Sequence, residues 1–148
     1  MQAMIRGAIE TDITRLIEFL QTANLGIEGI TAETVPYFLM MESDEGELKG
    51  VLGIEPLGEA GLLRSLVVTK DMGERDIFVL FEQMLLLAKE KEIRHLYLAT
   101  NKKEAVHFFR LLGFVEADKE ALPEKLVESK HIGHVLNVDN SIFLKFSF

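Results

Sequence analysis

The chain has 148 residues, no cysteine and a net charge of −8 at pH 7, with 48% hydrophobic and 27% charged residues. That length suits one globular domain, 1–148, which buries a core without staples, and the missing cysteines exclude a disulfide framework, a thiolate nucleophile and any cysteine-based zinc site. The acidic balance argues against nucleic acid, which needs clustered Lys and Arg.

Met1 to Arg6 carries no long apolar core of a secretory leader. The run Ile77 to Ala88 is broken by Glu82 and Gln83 and is too short to span a bilayer. A cytoplasmic protein without a membrane partner is therefore expected.

Met4 to Ala8 reads as a strand. Glu10-Thr11-Asp12 offers cap residues before Ile13, Leu16, Ile17 and Leu20, whose spacing predicts a helix ending near Asn24. Tyr37 to Glu42 and Leu48 to Ile54 read as a hairpin around the turn Ser43-Asp44-Glu45-Gly46. A third strand, Gly61 to Thr69, is apolar on both faces, as a buried central strand should be. Ile77, Leu80, Phe81, Met84, Leu85 and Ala88 mark an amphipathic helix over Glu74 to Lys91. A strand follows at Arg94 to Thr100, then a helix at Lys103 to Leu112 that Gly113 stops in a left-handed cap. Phe114-Val115 begins another strand, and Pro123 opens a short helix over Leu122 to Ser129. Ser141 to Phe148 alternates Ile142, Leu144, Phe146 and Phe148 on one side of a last strand. This apolar strand, read as exposed, offers an edge for pairing into a homodimer.

The strand Arg64-Ser65-Leu66-Val67-Val68, the helix after it, and Ala105-Val106-His107-Phe108-Phe109-Arg110-Leu111-Leu112-Gly113-Phe114 together resemble the GNAT superfamily of N-acetyltransferases. The last stretch is similar to that family's Ala-x-x-Phe-Tyr-x-x-Leu-Gly-Phe signature. Leu62 to Val68 with Leu122-Pro123-Glu124 resembles the small bacterial members associated with arsenic resistance. The resemblance implies an α/β GNAT-like fold, a mixed central sheet with helices on both faces. It also implies acetyl-CoA as cofactor and a small amine as acceptor. Backbone groups of Leu66, Val67 and Val68 would pair with the pantetheine arm as an added strand does. The start of the Glu74 helix, with Gly73, Glu74, Arg75, Asp76 and Ile77, would face the pyrophosphate. Asn101 and Phe109 stand where the family contacts the cofactor.

Several residues depart from the pattern. The family's phosphate loop reads Gln/Arg-x-x-Gly-x-Gly/Ala, whereas this chain has Gly73-Glu74-Arg75-Asp76-Ile77-Phe78. Asp76 and Phe78 stand at glycine positions, and Glu74 and Asp76 bring negative charge toward a phosphate. Two readings follow: weakened cofactor binding, or acids that cap a helix no longer meeting phosphate. The second yields a catalytically degenerate binding or regulatory module. Phe109 stands where many family members carry a tyrosine that protonates the leaving thiolate, so that acid is missing.

Tyr97 is the substitute acid on the neighbouring strand, and core packing is its other reading. Glu55 is the best-placed general base for deprotonating an amine, with Glu42 behind it; a solvated strand-end acid is the alternative for each. Arg64 and Ser65 are candidate acceptor-binding residues. His131 and His134 have a His-x-x-His spacing without an evident third ligand, so no metal is expected.

Overall fold

The computed structural model describes residues 3–118, 120, 122–127 and 142–148. Its elements are β1 (Ala3–Gly7), α1 (Ile13–Thr22), β2 (Phe38–Ser43), β3 (Leu48–Leu57), β4 (Ala60–Val68) and α2 (Glu74–Glu90), followed by β5 (His95–Thr100), α3 (Lys103–Leu112), β6 (Val115–Ala117), α4 (Glu124–Val127) and β7 (Ile142–Ser147). The strands form a seven-stranded mixed sheet in the order β1-β2-β3-β4-β5-β7-β6, with a parallel β4–β5 pair. This is the expected α/β architecture. The chain divides into two compact units, Met1–Glu55 with Leu63–Leu87, and Pro56–Leu62 with Ala88–Phe148.

In the first unit, β1 and β2 are antiparallel, and β2 turns into β3 through Gly46 at φ +82. Phe38 lies opposite Gly53, and a Cβ on Gly53 would sit 2.4 Å from the Phe38 ring. Only glycine leaves room for that ring. Leu16 and Leu20, one face of α1, pack with Ile30, Val35, Phe38, Met40 and Val51 into a core that excludes water from each.

Four charged residues tie β1, the first turn of α1 and β2 together. Arg6 donates through Nη1 and Nη2 to Asp12, at 2.8 and 2.9 Å, and through Nε to Glu42 at 2.6 Å. Arg15 donates to Glu42 at 2.6 Å and to the Gly46 carbonyl. Asp12 also accepts the Ile9 amide at 2.8 Å, closing the 3-10 turn Glu10–Asp12 ahead of α1, while at the N-cap of α1 itself it makes no side-chain cap bond. The hydrogen bonds from Arg15 and Arg6 hold the Glu42 carboxyl below its ordinary range. A carboxylate locked between two guanidiniums is no reserve base, which removes Glu42 from the catalytic candidates.

In the second unit, β5 pairs along its whole length with β7, and β6 pairs with the other side of β7 from Phe143 to Lys145. The terminal strand is therefore interior, not the free edge the sequence implied. Phe143 and Leu144 are both buried, at 1% and 0% exposure, because the strand is covered on both faces there, so the single-sided alternation fails. Ala60, Leu62, Tyr97, Leu126 and Phe143 form this unit's apolar cluster. Gly113 adopts φ +110 at the end of α3, the left-handed cap expected. A Cβ there would lie 2.8 Å from Phe146.

Within α4, the Leu126 amide bonds the Pro123 carbonyl at 3.0 Å. The rest of the helix expected to reach Ser129, and the His131–His134 pair, lie outside the described residues. Among the described residues, no helix is long and apolar enough to cross a membrane.

Candidate functional site

The first unit contains Glu55 near the end of β3, Arg64 to Val68 on β4, and the start of α2. β4 does not continue as a regular buried strand. Ser65 has φ +59, a left-handed conformation that costs a non-glycine residue about 1–3 kcal/mol. Past this point Leu66 is 41% exposed and Val67 and Val68 are half-buried, which corrects the expectation of a strand apolar and covered on both faces. The parallel ladder between β4 and β5 comprises Ala60↔His95, Gly61↔Leu96 and Leu62↔Tyr97. It ends before this irregular segment.

Arg64 is half-buried, with its guanidinium carbon 5.6 Å from the centre of the Phe38 ring. Its Nε donates to Ser65 Oγ at 3.0 Å. Its Nη2 is buried, with no hydrogen-bond partner among the described residues. Burial lowers the Arg64 pKa, while attraction from Glu55 and then Glu28 opposes the shift. Glu55 is half-buried, and its Oε2 is withdrawn from solvent. Gly29, at φ +78, passes so close that a Cβ on it would lie 3.5 Å from Arg64 Nη1.

At the start of α2, the Gly73 carbonyl accepts the Asp76 and Ile77 amides. The Glu74 and Arg75 amides therefore precede the first intrahelical bond, as helix-start amides do. The Gly73 amide donates to Asp76 Oδ2 at 3.0 Å. Asp76 thus caps its own helix, and its carboxylate lies where an external anion would meet the Gly73 amide. Just upstream, Lys49 pairs with Asp71 at 3.0 Å and Glu47 at 3.2 Å. A neighbouring cation is thereby already engaged.

The remaining candidates belong to the second unit. Tyr97 is 5% exposed within the apolar cluster, and burial raises its phenol pKa. Asn101 is exposed after β5. The N-cap position of α3 is Lys102, without a side-chain cap bond, so Asn101 is not that helix's cap. Phe109 is 8% exposed and meets Phe108 and Phe114 edge-on, with ring centres 5.4 and 5.7 Å away. Among the described residues, no group of three or more His, Asp or Glu side chains has the geometry to hold a metal.

Sequence reasoning singled out Arg64 and Ser65 but missed the Phe38 ring and the Gly29 turn around them. No local pattern links positions 29, 38 and 64. The left-handed Ser65 was equally silent, since serine in a strand gives no signal of positive φ.

The chain is 34% identical over 142 residues to the uncharacterized protein YwlB of Bacillus subtilis, an alignment covering 95% of each. No protein-family model matches it. Among solved structures, it superposes on N-acetylglutamate synthase of Neisseria gonorrhoeae, complexed with coenzyme A and N-acetyl-glutamate, with a TM-score of 0.73 and 22% identity. That match covers 99% of this chain but 35% of the larger enzyme. Rv2747 of Mycobacterium tuberculosis, in complex with CoA, matches with a TM-score of 0.75 and 15% identity over 98% of this chain and 99% of that one. A GNAT-family acetyltransferase of Staphylococcus aureus Mu50 matches with a TM-score of 0.71 and 21% identity over 99% of both.

Proposed function

The chain belongs to the same family as the uncharacterized protein YwlB of Bacillus subtilis and has the GNAT acetyltransferase fold, and from that premise we propose that it is an acetyl-CoA-dependent N-acetyltransferase of a small amine. The observation that carries this reading is the match of nearly the whole chain to acetyltransferases, with coenzyme A present in two of the matched structures. Resemblance to the arsenic-resistance-associated members, through Leu62 to Val68 and Leu122-Pro123-Glu124, is the finer form of the same proposal.

The residues fit the cofactor in part. The Leu66–Val68 backbone would offer a strand to the pantetheine arm, and the Glu74 and Arg75 amides, with the Arg75 cation, would hold the pyrophosphate. Asp76 opposes binding, because its carboxylate already holds the Gly73 amide. When bound, acetyl-CoA supplies the activated acetyl group.

Glu55 prepares the acceptor: an ammonium proton passes to its carboxylate and frees the nitrogen lone pair for attack. Arg64 and Ser65 orient the acceptor. Tyr97, enclosed in an apolar cluster, is assigned to packing, with its phenol protonated at neutral pH.

Calorimetric titration with acetyl-CoA tests the reading. Saturable binding with a Kd of about 1 mM or tighter is expected. An absence of binding at millimolar cofactor would sink the enzyme reading and leave a regulatory module in its place.

A further inference from the structure

Arg64 has the properties of a receptor group rather than a structural one. A buried guanidinium nitrogen without an acceptor carries its full desolvation penalty, so folds normally supply a partner. Here the protein supplies Ser65 Oγ to Nε and the Phe38 ring face to the guanidinium, and among the described residues Nη2 has no acceptor. Those two contacts fix the plane of the fork, and Gly29 keeps the approach to Nη1 free of a side chain. A rigid, planar donor pair with one unfilled end matches a carboxylate, which accepts two parallel N–H bonds.

The surrounding charge narrows the ligand further. Glu55 and Glu28 both act on Arg64, so one cation stands among two acids. A dianionic phosphate would be repelled by that pair. A zwitterion would satisfy both signs, with its carboxylate on Arg64 and its ammonium toward Glu55.

We propose that the acceptor is an amino acid or a close aminocarboxylate, held by Arg64 through its carboxylate. This rests on the acetyltransferase reading for its chemistry: the ammonium loses one proton to Glu55, the nitrogen forms a bond to the acetyl carbon as that carbon's bond to the coenzyme A sulfur breaks, and the nitrogen's second proton goes to the departing thiolate. The binding step stands without it.

The test is ligand-observed saturation-transfer NMR on the whole protein, with the common amino acids and their carboxamides as probes, run with and without coenzyme A. At least one amino acid should bind below about 10 mM while its amide does not. Arg64→Gln should weaken that binding about tenfold or more, and Arg64→Lys by less.

Binding of amides equal to that of acids, binding indifferent to Arg64→Gln, or no amino acid bound in either arm overturns the proposal. Arg64→Met combined with Glu55→Met should melt at or above the wild-type temperature, because it replaces both members of a half-buried charge pair with apolar side chains. A fall of more than about 5 °C would show that the fold itself satisfies the guanidinium, and overturns it too. Amino-acid binding without cofactor binding would instead remove the acetyltransferase reading and leave the Arg64 site in place.

Discussion

Asp12→Asn tests how the first unit is held together. In the wild type, the bonds from Arg6, and then the Ile9 amide, hold the Asp12 carboxyl at about 2 against an ordinary 3.8. At about 1.4 kcal/mol per pKa unit, that difference stabilises the fold by about 2–3 kcal/mol. The figure is taken from the carboxylate because its side chain is 11% exposed, against 40% for Arg6, which also serves Glu42. Asparagine retains one acceptor but turns an amide NH2 toward donors. The expected loss at pH 7 is therefore about 2–4 kcal/mol, near the lower end because Arg6 keeps Glu42. The folded-state pKa is depressed, so the stabilisation is fully present above about pH 4 and is lost as pH falls through about 2. Urea unfolding of wild type and variant, followed by circular dichroism from pH 7 to pH 2.5, reads this directly. The gap should stay constant down to about pH 5 and shrink below pH 4. A gap under about 0.5 kcal/mol at pH 7, or one that ignores pH, would refute the account.

Asp76→Ala should free the Gly73 amide, tightening coenzyme A binding by a few-fold in calorimetry while costing about 0.5–2 kcal/mol of stability as a lost cap. Unchanged affinity would mean that the start of α2 does not meet the cofactor. Glu55→Gln should lower the acetylation rate by about 100-fold or more at neutral pH, with smaller losses as pH rises and more acceptor is already deprotonated. A pH-independent loss in a thiol-release assay would count against its role as base. Gly53→Ala drives a Cβ to within 2.4–2.9 Å of three Phe38 ring atoms, so thermal unfolding should show a loss of about 1–3 kcal/mol. A neutral result would mean that the ring moves aside, and Arg64, resting on that ring, should then shift as well.

The local signals in this chain were reliable where the physics is local. Lys103 to Leu112 forms a helix that Gly113 stops because apolar spacing and a left-handed glycine are both encoded within one turn. The Ser43–Gly46 turn places β2 against β3 for the same reason. Asp76 accepts the Gly73 amide, a contact spanning three residues. The terminal strand was misjudged as an edge because its neighbours β5 and β6 are set by pairing between distant segments, which alternation of side chains does not record.

The candidate site divides along the same line. Sequence alone picked out the candidates for chemistry: Glu55 as a strand-end carboxylate, Arg64 and Ser65 on the strand, and acids at the start of α2. Only the tertiary structure decided what each has left to offer. Glu42 is consumed by Arg6 and Arg15, while Arg64 rests on Phe38 with a buried Nη2 that has no partner among the described residues. A residue's charge is written in its identity, but its unspent hydrogen bonds depend on partners folded in from elsewhere in the chain.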